Sequence, residues 1–252
     1  VSFSTRYNSE FWDMVEIFES MEIWNGATPF AAGTINAKAF KKWLSLLDEG
    51  KRLTATTGSD THNIYGDDYF GMTEWLDWLM DIVMKHPEIY PVHMNENVAY
   101  LTWLYNKVWP RLLSWVEQSN TPSTIHNYVY TNGKNQPQEI LQAIREGHSF
   151  ISNGPLVTAE VNGVSYGEKA VLKDRTGTLS VHVFSKKPIN HLWMYTGADK
   201  KVELCAKADA AEGGFMYDIA ADELDFGDAA WVLFVADGGE NNLAISNPIL
   251  FA

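Results

Sequence analysis

Asp60 and His62 are the two residues whose types and spacing most directly suggest chemistry. They follow Gly58-Ser59 at the end of a β-branched run from Arg52 to Thr57 that reads as a strand. Residues two apart on an extended chain share a face and stand roughly 6.5–7 Å apart by strand rise. A carboxylate and an imidazole so placed can each hold one ion of a pair about 3.5–4 Å apart. Parallel α/β folds build their active sites at strand C-termini, where this pair would lie. Gly-Ser-Asp is also ordinary turn chemistry, with Ser59 or Asp60 capping the next turn, and an isolated Asp-x-His is a weak motif.

Glu22 is a second candidate, on a short apolar strand Met21-Glu22-Ile23-Trp24 closed by the turn signal Asn25-Gly26. Alone, a Glu among apolar neighbours is more often an exposed or paired carboxylate than a ligand. Only context separates it from Glu16 and Glu19. His86, His93, His126, His148, His182 and His191 form no HxH or HExxH spacing. His182 and His191 lie in a stretch of strand texture and are expected to be surface or packing residues. His126, just before a strand, and His148, just after a helix, are left undecided. No GxSxG elbow, phosphate-binding loop or GxGxxG dinucleotide loop occurs, and Cys205 lacks a paired-ligand context.

The elements that must position these residues begin with a strand–helix–strand series. Phe40, Trp43, Leu44 and Leu47 recur at helical spacing ahead of Gly50, between the Met21 and Arg52 strands. That order predicts a βαβ unit with parallel pairing. Residues 72–118 read as two amphipathic helices carrying five of the ten tryptophans, with Pro110 as a kink or break. Such a stripe is ordinarily core, and its alternative is a lid over a substrate cleft. A strand at Tyr128-Val129-Tyr130 and a helix from Pro137 to Gly147 follow. From Pro155 onward, short alternating runs and the hairpin signal Asn162-Gly163 predict an antiparallel β-sandwich. The expected organisation is thus 1–154, an α/β part with its Trp-rich insertion, and 155–252, the sandwich.

Composition sets the broad class. The 252 residues are 46% apolar with ten Trp, eleven Tyr and twelve Phe, enough for a sizeable core and unlike a disordered chain. A formal net charge of −13 repels phosphate backbones and anionic membranes, so the expected partner is a small molecule, with neither nucleic acid nor membrane. A bound cation could still admit a phosphorylated substrate. One cysteine excludes an intrachain disulfide, which suits the cytoplasm and does not exclude the periplasm. The start Val1-Ser2-Phe3-Ser4 carries neither initiator Met nor signal peptide, and the native start is expected to lie upstream.

Three segments in order resemble one family: Met21-Glu22-Ile23-Trp24-Asn25-Gly26, Gly58-Ser59-Asp60-Thr61-His62-Asn63, and Ile144-Arg145-Glu146-Gly147-His148-Ser149-Phe150-Ile151-Ser152-Asn153-Gly154-Pro155. The family is the PHP (polymerase and histidinol phosphatase) superfamily, in its CehA/McbA-like branch. The run Ala244-Ile245-Ser246-Asn247-Pro248-Ile249 is similar to the end of that branch's appended β-domain. The resemblance implies the later part of a distorted (β/α)₇ barrel followed by a small antiparallel sandwich. It implies two or three divalent ions (manganese, iron or zinc), with Glu22 as the mid-barrel acidic ligand and Asp60 and His62 as the final Asp-x-His pair. It implies hydrolysis of small phosphoesters or related ester and carbamate bonds by a metal-activated hydroxide. The family's opening HxH has no counterpart, since residues 1–20 contain no histidine, and the insertion at 72–118 is a second departure. The chain is accordingly expected to be a fragment, inactive by itself. The rival expectations are a non-catalytic ligand-binding module, for carbohydrate among other ligands, and a degenerate metal-free relative.

Overall fold

A computed structural model describes residues 18–26, 30–58, 125–204, 208–239 and 242–252. All of these belong to one compact unit, formed by residues 1–58 and 125–252. Asp60, His62 and the Trp-rich stretch 72–118 lie outside the described residues.

The βαβ expectation holds at the start of the chain. Strand β1 (Ser20–Asn25), helix α1 (Ile35–Asp48) and strand β2 (Thr54–Gly58) follow one another, and β1 pairs parallel with β2. Thr34 caps α1, its hydroxyl accepting from the Ala37 N–H at 3.3 Å. Helical spacing turns Ala39, Trp43, Leu44, Leu46 and Leu47 inward. Trp43 is fully buried, and its indole N–H donates to the Leu53 carbonyl at 2.7 Å, fixing the helix to the entry of β2.

The outer edges of this strand pair are finished by asparagine side chains. Asn247 accepts from the Ala55 N–H (2.7 Å) and donates to the Ala55 carbonyl (3.3 Å). Asn127 does the same for Thr57 (3.0 and 2.8 Å), and Asn36 for Asn25 on β1 (3.0 and 3.0 Å). An amide side chain has one acceptor and one donor in peptide geometry, so each substitutes for a neighbouring strand at one residue.

Strands β3 (His126–Val129) and β4 (Ser149–Ser152) flank the second helix, α2 (Pro137–Arg145). They pair antiparallel, His126 opposite Ser152 and Val129 opposite Ser149. A barrel would need the strand after each helix to lie parallel to the strand before it. The remainder is all strand: β5 (Leu156–Val161), β6 (Lys169–Ala170), β7 (Thr176–Ser185), β8 (His191–Gly197), β9 (Lys200–Glu203), β10 (Ala208–Ala211), β11 (Gly214–Asp225), β12 (Trp231–Asp237), β13 (Leu243–Ser246) and β14 (Ile249–Phe251). Four form a sheet in the order β10-β11-β7-β5. The order β3-β4-β13-β12-β14-β6, with β8 joined to β12 and β9 to β8, forms a sheet of eight.

The expected (β/α)₇ barrel segment is therefore corrected. Strand makes up 49% and helix 14% of the described structure, with two helices and mostly antiparallel pairing. Among the described residues only β1–β2 and β6–β14 run parallel. One local βαβ unit is real, but among the described residues no further strand pairs with β1 or β2, and asparagine amides take ladder positions on β2.

Two cores lie on opposite faces of the large sheet. Val157, Ala159, Val161, Val181 and Val183 of the smaller sheet pack with Val232, Phe234 and Ala236 of β12. On the other face Trp231, Leu233 and Val235 join Ile23, Trp43, Leu46 and Ala55. The period-2 alternation of β12 thus serves both cores, and strands from both sides of residue 154 share this sheet through β4 and β13. Asn162-Gly163 forms the expected tight turn, with φ of 52° and 75° and a Val161–Val164 bridge, though β5 finds its long partner in β7.

Candidate functional site

Parallel pairing brings the C-terminal ends of β1 and β2 to one edge. Glu22 stands opposite Thr56, and a bulge then shifts the register so that Asn25 faces Gly58. The Gly26 N–H donates to the Gly58 carbonyl at 2.7 Å, holding the two strand ends together. Gly58 is the last residue of β2, and Asp60 follows two positions later in the chain. Glu22 is half-buried and engaged in an interaction of its own. Of the three expected ligands, the structure thus locates Glu22 in the middle of β1, opposite Thr56, while Asp60 and His62 lie outside the described residues.

The donor set suits the ions expected. Carboxylate oxygen and imidazole nitrogen are the ligands that manganese, iron and zinc take. Among the described residues alone, no group of three or more His, Cys, Asp or Glu is placed to hold an ion.

His126 is exposed, its ring edge-on to Tyr128 at 5.9 Å. His148 occupies the turn after α2, with Nδ1 3.7 Å from Glu146 and Nε2 3.9 Å from Glu168. Gly147 closes α2 at φ 80°, a conformation that side chains disfavour. Gly167 packs so closely on this turn that a Cβ there would collide with the Glu146 carbonyl oxygen. The Glu146-Gly147-His148 segment of the resemblance is thereby accounted for by packing. His148, Arg52, Arg145 and Thr54 line an open cleft of about 320 Å³. It lies against the start of β2, at the other end of that strand from Gly58.

On the sandwich, His191 Nδ1 lies 2.7 Å from Glu203, and its ring stacks on Trp193 at 5.2 Å. The Lys201 ammonium sits 3.8 Å from the centre of the same indole. Trp193 is thus contacted by both His191 and Lys201. Tyr195 beside it has its phenol raised above the ordinary value by burial and then by the Asp237 carboxylate. Tyr166 is displaced further. Burial drives its phenol well above the ordinary value, the nearby Ala159 backbone pulls it down in part and Glu160 adds to the rise, while its hydroxyl makes no hydrogen bond of ordinary geometry among the described residues.

Sequence reasoning missed Asn36, Asn127 and Asn247, which hold the strand pair carrying Glu22. The one available signal was Asn247-Pro248: a proline ends a ladder and leaves the preceding side chain free to turn elsewhere. No helix among the described residues is long and apolar enough to cross a membrane. Comparison with family models, curated proteins and solved structures returned no match.

Proposed function

We propose that the chain carries part of a metal-dependent hydrolase site acting on small phosphoesters or related ester and carbamate bonds. The observation that supports this is the parallel β1–β2 pair, which sets Glu22 opposite Thr56, two residues before the Gly58 end from which the chain runs on to Asp60 and His62. Glu22, Asp60 and His62 would hold divalent manganese, iron or zinc. Bound there, such an ion lowers the pKa of coordinated water and polarises the bond under attack. The chain's own contribution is placement: the bulge after Glu22 re-aims the end of β1, and the Gly26–Gly58 hydrogen bond ties that end to β2.

Three donors are fewer than two closed divalent sites require, so these 252 residues are expected to hold metal weakly and to turn over negligibly. The test is elemental analysis after dialysis against manganese, iron or zinc, with turnover of a chromogenic ester panel. Asp60→Ala, His62→Ala and Glu22→Gln should each abolish the residual metal. Unchanged metal content in Asp60→Ala, or two tightly held ions in the unaltered chain, would refute the assignment.

A further inference from the structure

The outer face of the small sheet carries a second constellation, remote in sequence from the residues above. Ser180 and His182 alternate on β7 and so share a face, while Asp218 on β11 stands directly opposite His182. Ser180 Oγ lies 3.0 Å from His182 Nε2, and His182 Nδ1 lies 2.5 Å from Asp218 Oδ1. Hydrogen-bond chemistry orients the chain of protons. An ionised carboxylate only accepts, so Nδ1 must carry its hydrogen toward Asp218. In the neutral ring Nε2 is then an acceptor, and the Ser180 O–H must donate to it. Hydroxyl, base and orienting carboxylate stand in the order nucleophilic catalysis requires, each on the appropriate atom.

We propose that Ser180 is a nucleophile activated by His182, with Asp218 as the positioning residue, and that it reacts with activated aryl esters. The substrate class follows from the sheet. β7 is paired on both sides from Leu179 to Phe184, which commits its N–H groups to neighbouring strands. No backbone donor on that strand is free to steady a developing oxyanion, so the leaving group must be good enough to depart without one. The setting is open: His182 and Asp218 are each more than half exposed, and Ala220, opposite Ser180 on β11, keeps one flank low. In the acylation step Ser180 Oγ bonds to the acyl carbon, the aryl C–O bond breaks, and the aryloxide leaves with its electron pair. The hydroxyl proton passes to His182 Nε2. His182 then gives that proton to the departing aryloxide or to solvent and is neutral again. In deacylation a water oxygen bonds to the acyl carbon as its proton passes to Nε2, the Ser180 Oγ–acyl bond breaks, Oγ takes the proton back from Nε2, and the carboxylic acid leaves.

The probe is p-nitrophenyl acetate, added to the whole 252-residue protein in EDTA, with nitrophenolate release followed by absorbance and the acetyl group located by peptide mass spectrometry. EDTA separates this reaction from the metal-dependent one proposed above, so either can fail alone. The expected result is an acetyl group on Ser180 and its loss in Ser180→Ala. His182→Gln should slow acetylation by at least about tenfold, since a positioned general base supplies about 100-fold or more. Asp218→Asn should slow acetylation with thermal unfolding unchanged, a split that a merely structural carboxylate would not produce. Equal acetyl incorporation in Ser180→Ala and the unaltered chain would overturn the proposal. So would loss in His182→Gln with none in Ser180→Ala, which would make the imidazole itself the nucleophile.

Discussion

At the scale of single residues, burial and partnering decide which polar groups stabilise the fold. Tyr166 is 5% exposed, and its hydroxyl makes no hydrogen bond of ordinary geometry among the described residues. Removing an unsatisfied buried hydroxyl costs little, so Tyr166→Phe should be neutral or stabilising by up to about 1 kcal/mol in urea denaturation. A loss larger than that would mean the hydroxyl is bonded. The same phenol makes a pH prediction. Its folded-state pKa is raised, so the native protein keeps a proton that the unfolded chain gives up above about pH 10. The contribution is complete below that range and is lost as pH rises through it, so stability falls there, and less steeply in Tyr166→Phe. Melting temperatures of both proteins across the alkaline range would show it. Parallel melting curves would count against it. At this scale sequence reasoning reached the strand that carries Glu22 and the Asn25-Gly26 turn that follows it. It did not reach Asp218, whose meeting with His182 depends on the β7–β11 register and leaves no trace in local spacing.

At the scale of elements, the decisive contacts are those that replace a missing strand. Asn247 is fully buried, and its amide serves Ala55 and Ser149 together. Asn247→Ala should cost about 2–4 kcal/mol, because at least two buried backbone groups lose their partners. Asn127 makes the same bidentate contact to Thr57 but is exposed, so water can replace it and Asn127→Ala should cost about 1 kcal/mol or less. Chemical denaturation of the two variants measures the difference, and equal costs would contradict the burial argument. α1, α2 and most strands were readable from periodicity, since each writes its own 3.6- or 2-residue pattern. The direction of pairing was not. β3–α2–β4 has the same strand–helix–strand order, yet its strands run antiparallel, and β4 also pairs with β13, some ninety residues away.

At the scale of the whole molecule, β12 joins two cores that sequence texture assigned to different regions. Leu233 and Phe234 are both fully buried, and they face opposite ways into those cores. Leu233→Ala and Phe234→Ala should each cost about 2–5 kcal/mol, whichever core they enlarge. Because one strand serves both, the cores should open together. Hydrogen exchange at the Leu233 and Phe234 amides should report the same opening free energy within about 1 kcal/mol. A wider gap would show that the cores unfold in turn. The barrel expectation, which the family resemblance implied, is overturned at this scale: the βαβ unit is not repeated among the described residues, and mostly antiparallel strands make up the rest.

The asparagine-finished strand pair bears finally on how the protein behaves in a crowd of its own copies. A bare strand edge is a template, and whatever pairs with it offers a fresh edge for the next arrival. A side-chain amide interrupts that growth, since it satisfies a peptide group without bringing a strand whose far side could recruit another. At Asn25, Ala55 and Thr57 the positions where β addition could begin are already taken. Among the described residues, the parallel pair is therefore protected against templated aggregation by three side chains rather than by a further strand.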